Sequence, residues 1–246
     1  MTRFRASSIH LAISACVVAF ILAIVFLFWY PRSTFEIAGA MRPVFVLVGV
    51  DLVLGPLLTL IVYKQGKPGL LFDLCFIALV QVAALVYGSY TLNSARPHYL
   101  VFSIDRITLI TDEGVDQSSI RFEELAKKPL RDVLRVFARA PTDPNEMKRL
   151  MESVLFEGKP DLERRSEYWE PWRSGNETIR AAILPLGDFE PASDLEQQHI
   201  AEAIDRYSDL HPNLGILPVG GIEEDIGMLM DIDTLADLGV IRVNPW

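Results

Sequence analysis

The stretch Leu47–Lys67 reads "LVGVDLVLGPLLTLIVYKQGK", and between Leu47 and Tyr63 only Asp51 and Thr59 interrupt its apolar character. Crossing the ~30 Å of bilayer hydrocarbon takes about 20 apolar residues at ~1.5 Å each. Val44–Tyr63 is of that length and reads as a membrane span. A carboxylate inside a span is costly and is expected to face protein or water. The stretch therefore decides the fold, and Asp51 poses the functional question.

Working outward, two more runs qualify: Ile9–Tyr30, uncharged unless His10 is protonated, and Leu70–Tyr90, with Asp73 near its start. Phe28, Trp29, Tyr30, Tyr63, Tyr87 and Tyr90 fall at run ends, where amphipathic rings suit the interface. The first run is longer than a signal-peptide core and no small-x-small site follows it. "ISAC" at Ile13–Cys16 looks like a lipoprotein cleavage box, but fourteen apolar or aromatic residues follow Cys16 where such a box would close the run. Cys16 and Cys75 are the only cysteines, both in spans, so the rest of the chain needs no disulfide.

Charge divides the chain at the same place. Residues 1–96 carry seven Lys and Arg against three Asp and Glu, net +4; residues 97–246 carry sixteen against twenty-nine, net −13. We expect a membrane domain over 1–96, with spans at about 9–30, 44–63 and 70–90, and a soluble domain over 97–246, long enough to bury its own core. An N-terminus inside places Arg3, Arg5, Lys64 and Lys67 in the cytoplasm and Arg32, Arg42 and Arg96 outside. Basic residues favour the cytoplasmic side. The soluble domain is then extracytoplasmic.

Depth arithmetic pairs the polar residues. Asp51 lies eight residues, or ~12 Å, from Pro43, and Gln81 nine residues, or ~13.5 Å, from Tyr90. They share a level on adjacent antiparallel spans, and a Gln amide can donate to a carboxylate. Asp73 lies near the other end, close in level to His10 and Ser14; it either pairs with His10 or reaches water. Asp51 and Asp73 differ in depth by roughly 13 Å, which excludes a dyad sharing one proton. The Gly-x-Gly-Asp signature of membrane aspartyl proteases is also missing, since Val50 stands at the second Gly position. Gly55 and Pro56 point to a close helix approach and a kink that frees the Leu52 carbonyl. Asp51 then either anchors this chain's own spans or also meets a partner helix.

The soluble half reads as α+β. "PHYLVFSIDRITLIT" (97–111) suggests two short strands or one bent one. Phe122–Ala138 and Asn145–Phe156 have helical spacing, and "DLERRSEYWEPW" from Asp161 suggests a short helix ending before Pro171. "ETIRAAILPL" fits strand or helix. Ala192–Leu210 is the clearest helix, capped by Ser193 or Asp194, with a stripe of Leu195, His199, Ala203, Ile204 and Tyr207. "LGILPVGG", "IGMLMDID" and "GVIRV" read as strands.

Chemistry is scarce in this half. His98, His199 and His211 have no ligand-like spacing. The carboxylates of "IEEDIGMLMDID" lack a calcium-loop pattern and read as a solvated acidic edge. No metal, cofactor or nucleophile–base arrangement emerges, and the acidity argues against nucleic acid. Tyr168, Trp169 and Trp172, beside Arg164, Arg165 and Arg173, form either interface anchors or a capped core cluster.

"RFRASSIHL", "WYP", "GVDLVLGPLLTLIVY", "LLFDL", "ARPHYLVFSIDRITLIT", "SEYWEPW" and the terminal "NPW" together resemble the type IV pilin accessory proteins of the TfpX/TfpZ kind. The resemblance covers the whole membrane part, continues through "SEYWEPW" and is looser beyond. It implies a bacterial inner-membrane protein with a periplasmic C-terminal domain, not an enzyme, which assists type IV pilin stability or pilus assembly in a chaperone-like way. Asp51, Gly55, Pro56 and Asp73 match its membrane signature. The partners implied are a type IV pilin, other pilus assembly components and membrane lipid. The rival class is a membrane-anchored sensor whose outer domain binds a ligand; the inner side offers it only an N-terminus and one loop.

Overall fold

The computed structural model describes residues 2–30, 35, 38–127, 129, 132–221 and 225–246. Two compact units divide it: Met1–Pro31 with Ala40–Arg96, and Arg32–Gly39 with Pro97–Trp246.

Among the described residues of the first unit, three helices are long and apolar enough to cross a membrane: Arg3–Trp29, Met41–Val62 and Leu70–Ser94. The first is α1 (Arg3–Ile24) extended by a π-turn at Val25–Trp29. Thr2 caps it by accepting from the Arg5 N–H. The second is α2 (Met41–Gly49) and α3 (Gly55–Val62), joined by a π-turn at Val50–Leu54. The third is α4 (Leu70–Ser94). The helices start and stop within six residues of the ends of the apolar runs; the largest differences arise where α1 runs on into its basic flank and α4 into Thr91–Ser94. Large apolar side chains such as Phe20, Phe45, Leu71 and Phe72 stay exposed, as on a surface whose solvent is lipid.

The second unit is an eight-stranded mixed sheet with helices, an α+β fold. Its strands are β1 (Tyr99–Ser103), β2 (Arg106–Ile110), β3 (Leu134–Ala138), β4 (Trp169–Pro171), β5 (Leu184–Pro185), β6 (Leu214–Gly220), β7 (Ile226–Asp231) and β8 (Asp237–Ile241). The order is β4-β3-β1-β2-β6-β7-β8, with β5 also on β6. β1/β2, β3/β4, β6/β7 and β7/β8 are antiparallel; β1/β3 and β2/β6 are parallel. The helices are α5 (Glu123–Ala126), α6 (Pro144–Glu157), α7 (Asn176–Ala182) and α8 (Asp194–Tyr207).

Alternation along the strands builds two faces. Leu100, Phe102, Ile107, Phe137, Leu217, Val219, Met228 and Met230 pack on one, with Ile179 of α7. On the other, Tyr99, Val101, Val136 and Ala138 pack with Leu150 of α6. Further along that second face, Ile216 and Leu229 pack with Ile200, Ala203 and Tyr207 of α8.

Three local expectations are corrected here. Phe122–Ala138 is not one helix: α5 is a single turn, and Leu134–Ala138 is β3. Val136 and Phe137 serve opposite faces of a sheet that a helix could not enter, and parallel pairing with β1 fixes the strand. Asp161–Trp172 is not a helix either. It forms two 3-10 turns, Leu162–Arg164 and Ser166–Tyr168, and then β4. Pro171, which has no N–H to donate, sits on that edge strand, where Pro is tolerated. Finally, the carboxylates after Gly221 are not one solvated edge. Asp231 is buried at the end of β7, Asp225 accepts from the Trp246 indole at 2.9 Å, and residues 222–224 lie outside the described residues. On α8, Ser193 is the cap, accepting from the Glu196 N–H, and the stripe holds through His199, Ala203 and Tyr207; Leu195 and Ile204 are exposed.

Candidate functional site in the membrane unit

Asp51 is the first residue to place. It sits in the π-turn of the second span and is 5 % exposed. Gln81 of the third span, also buried, donates through Nε2 to Asp51 Oδ1 at 3.3 Å and to the Asp51 carbonyl at 3.4 Å. The second contact follows from Pro56. In a π-turn an N–H bonds the carbonyl five residues back, so the carbonyl that Pro56 cannot serve is that of Asp51 rather than Leu52. One amide thus serves the side chain and the stranded backbone of the same residue. Gly55 makes room for it: a Cβ there would collide with the Gln81 amide.

Asp51 Oδ2 is buried and has no hydrogen-bond partner among the described residues. The magnitudes matter here. An Asp near the middle of a span costs about 2.5–3.5 kcal/mol. Interhelical hydrogen bonds in membranes average about 0.6 and reach about 1.7 kcal/mol. Gln81 alone leaves a deficit of roughly 1–3 kcal/mol.

A second polar seam joins the first and second spans. Ser7 Oγ donates to the Pro56 carbonyl at 2.9 Å, and His10 Nδ1 lies 2.5 Å from Thr59 Oγ1. Ser7, His10 and Ser14 share one helical face by their spacing, a signal of this seam present in the sequence itself. Asp73 is elsewhere: its Oδ2 meets Lys67 Nζ at 2.6 Å, both side chains about a third exposed. The His10–Asp73 pair considered from the sequence does not form, because the "KQGKPG" loop folds its own lysine back to Asp73 while His10 engages Thr59.

Between the second and third spans runs a groove of about 250 Å³, lined by Pro43, Leu47, Val50 and Asp51 on one side and by Ala84 and Gly88 on the other. Its surface is almost wholly apolar, with Asp51, Tyr87 and Thr91 the residues of the lining that carry polar side-chain atoms. Gly88 lets the two spans close up, since a Cβ there would stand 3.2 Å from Leu47 Cδ1.

The aromatic cluster of the soluble unit is not brought together as a patch. Trp169 is fully buried, packs on Tyr99 with ring centroids 4.6 Å apart and donates Nε1–H to the Glu163 carbonyl. Trp172 lies against the opposite face, edge-on to Phe102 and beneath Arg135. Tyr168 donates to Glu146 Oε1 at 3.1 Å, and burial first, then that carboxylate, raises its pKa. Tyr168, just before β4, packs on the same face as Trp169, while Trp172, just after it, turns to the other. His211 contacts Asp231 Oδ2 at 2.6 Å, and His199 lies 2.9 Å from the Arg242 carbonyl. Among the described residues no cluster of His, Cys, Asp and Glu is arranged to hold a metal.

The architecture and the polar spans define a membrane protein with three apolar helices and an α+β unit. A family model described as "Fimbrial assembly protein FimB" matches residues 1–39. The fimbrial assembly protein of Dichelobacter nodosus serogroup I is 29% identical over 207 residues, 82% of this chain and 80% of that protein. Its serogroup C1 and C2 counterpart is 33% identical over 109 residues, 44% of this chain and 83% of that protein. No solved structure matches. The chain belongs to the fimbrial assembly protein family.

Proposed function

We propose that the chain is a non-enzymatic accessory of type IV pilus biogenesis. It holds a type IV pilin subunit in the bacterial inner membrane, chaperone-like, until the subunit is assembled or to keep it from degradation. Residues 1–96 are the membrane domain and 97–246 a periplasmic domain, with the N-terminus in the cytoplasm. The observation that carries the reading is that likeness to fimbrial assembly proteins runs through both parts, over 82% of the chain. The loop charges support the orientation: Arg3, Arg5, Lys64 and Lys67 against Arg32, Arg42 and Arg96. Pilin is the principal partner, with other assembly components and membrane lipid around it.

Deleting the gene is expected to lower the pilin level or surface piliation, and full-length protein to restore it; unchanged pilin and piliation would overturn the reading. Topology is checked with alkaline phosphatase fusions, expected to be active after Arg96 and inactive at Gln65. The reverse pattern would overturn the orientation alone.

A further inference from the structure

We propose that the groove between the second and third spans seats a transmembrane helix of a partner protein, and that this helix brings a hydrogen-bond donor to Asp51. The proposal rests on the accessory reading above and names the place and chemistry of capture.

Three features of the groove select its occupant. Its volume, about 250 Å³, is below the range of small-molecule pockets and suits one or two side chains pressed in from a neighbouring helix. Most of its lining, Pro43, Val46, Leu47, Val50, Ala84 and Gly88, is small or aliphatic, the surface against which helices pack closely in lipid, with Tyr87 and Thr91 completing it. Asp51, nine-tenths buried, lines it and keeps one oxygen without a partner among the described residues. A carboxylate only accepts hydrogen bonds, so what completes it is a donor: a hydroxyl, amide, indole or ammonium. That oxygen is enclosed, and the terminal torsion of an Asp side chain is broad enough to let it turn towards an incoming donor.

Depth separates a protein helix from a lipid headgroup. Asp51 lies about eight residues from the Pro43 end of the span, ~12 Å down, where a headgroup ammonium would have to leave the interface. The π-turn adds to the case: such turns occur mostly as single bulges, often at functional sites. Here it aims a carboxylate at the third span while Gln81 holds only its other oxygen.

The test is photocrosslinking in native membranes with the full chain. A benzophenone amino acid is placed at Val46 or Ala84 in the groove, and at Leu79 on the exposed face of the third span as control. Groove positions are expected to crosslink the transmembrane segment of another protein, located by mass spectrometry, and Leu79 is not. Replacing the mapped donor side chain of that partner by Ala, and Asp51→Leu in this chain, should each cut the crosslink at least fivefold. Should Asp51→Leu lower the level of the protein itself, Ala84→Phe, which fills the groove and leaves Asp51 in place, should give the same loss. Crosslinks to lipid only, to a second copy of this chain, or to a helix whose donor can be removed without effect would overturn the proposal. If gene deletion lowers pilin while the groove captures no helix, this inference fails and the accessory reading stands. If deletion leaves both pilin level and piliation unchanged, the reading itself fails.

Discussion

The amide of Gln81 occupies the space that a side chain on Gly55 would need. That contact welds the second and third spans at the level of Asp51 and gives the glycine a reason to be there. Gly55→Leu must push Gln81 aside, breaking both of its bonds to Asp51. Overpacking of this kind costs about 1–3 kcal/mol. The expected outcome is a lower unfolding midpoint in detergent and a shorter lifetime in membranes, read by circular dichroism and by pulse-chase.

Asp73 should behave differently from Asp51. Its ion pair with Lys67 is partly exposed, and such pairs are worth about 0–1 kcal/mol. Asp73→Asn is expected to leave the detergent midpoint nearly unchanged and pilin levels intact, whereas Asp51→Leu should alter the groove crosslink. A large loss on Asp73→Asn in pilin immunoblots would give Asp73 a role that its surroundings do not suggest.

Trp169 and Trp172, three residues apart, should differ in the same sense. Truncating the fully buried Trp169 leaves a cavity under α6 and removes the ring contact with Tyr99, a change that typically costs about 3–5 kcal/mol. Trp172 is only partly buried, and Trp172→Ala should cost less. Chemical denaturation of the full chain in detergent, followed by far-UV circular dichroism, separates the two. Equal losses would contradict the packing described.

Asp231 ties the β7–β8 turn together. Its Oδ1 accepts from the Asp233 and Thr234 N–H groups at 2.8 and 2.9 Å, and His211 meets Oδ2. The Thr234 backbone bond first, then His211, hold its pKa below the ordinary carboxylate value. A depressed carboxylate contributes stability that is complete above its unfolded pKa of about 3.9 and is lost as pH falls through the lower folded value. Asp231→Asn should therefore lower stability at neutral pH and flatten the acid limb below about pH 4, as measured by thermal melts across pH. A wild-type acid limb in the mutant would show that the turn does not depend on this charge.

How much of this was legible in the residues depends on how local each determinant is. The spans were, because a run of apolar residues is its own signal, and so was the Asp51–Gln81 level, because helix rise converts sequence position into depth. The Ser193 cap and the first two strands were legible for the same reason. Leu134–Ala138 was not: "LRVFA" is a short apolar run that fits helix or strand, and the arbiter is β1, more than thirty residues away. Burial of Asp231 was hidden likewise, since the β6 strand and His211 that enclose it come from a different stretch of the chain, His211 being 20 residues earlier. The level of Asp73 was legible too, but not its partner Lys67, because depth takes no account of a loop lysine folding back.

The π-turn at Val50–Leu54 acts as a phase keeper. Around it the second span meets both neighbours: Leu47, Asp51 and Gly55 face the third span, while the Pro56 carbonyl and Thr59 meet the first. Each residue of a regular helix advances the face by about 100°. A π-turn takes up its surplus residue locally, so deleting that residue would leave the two halves nearly in phase. Drawing the turn into a regular helix with the residue kept would instead rotate one half against the other by about 100° and pull the two seams out of line. The second span thus serves two faces, and the turn that absorbs the surplus residue keeps both neighbours engaged.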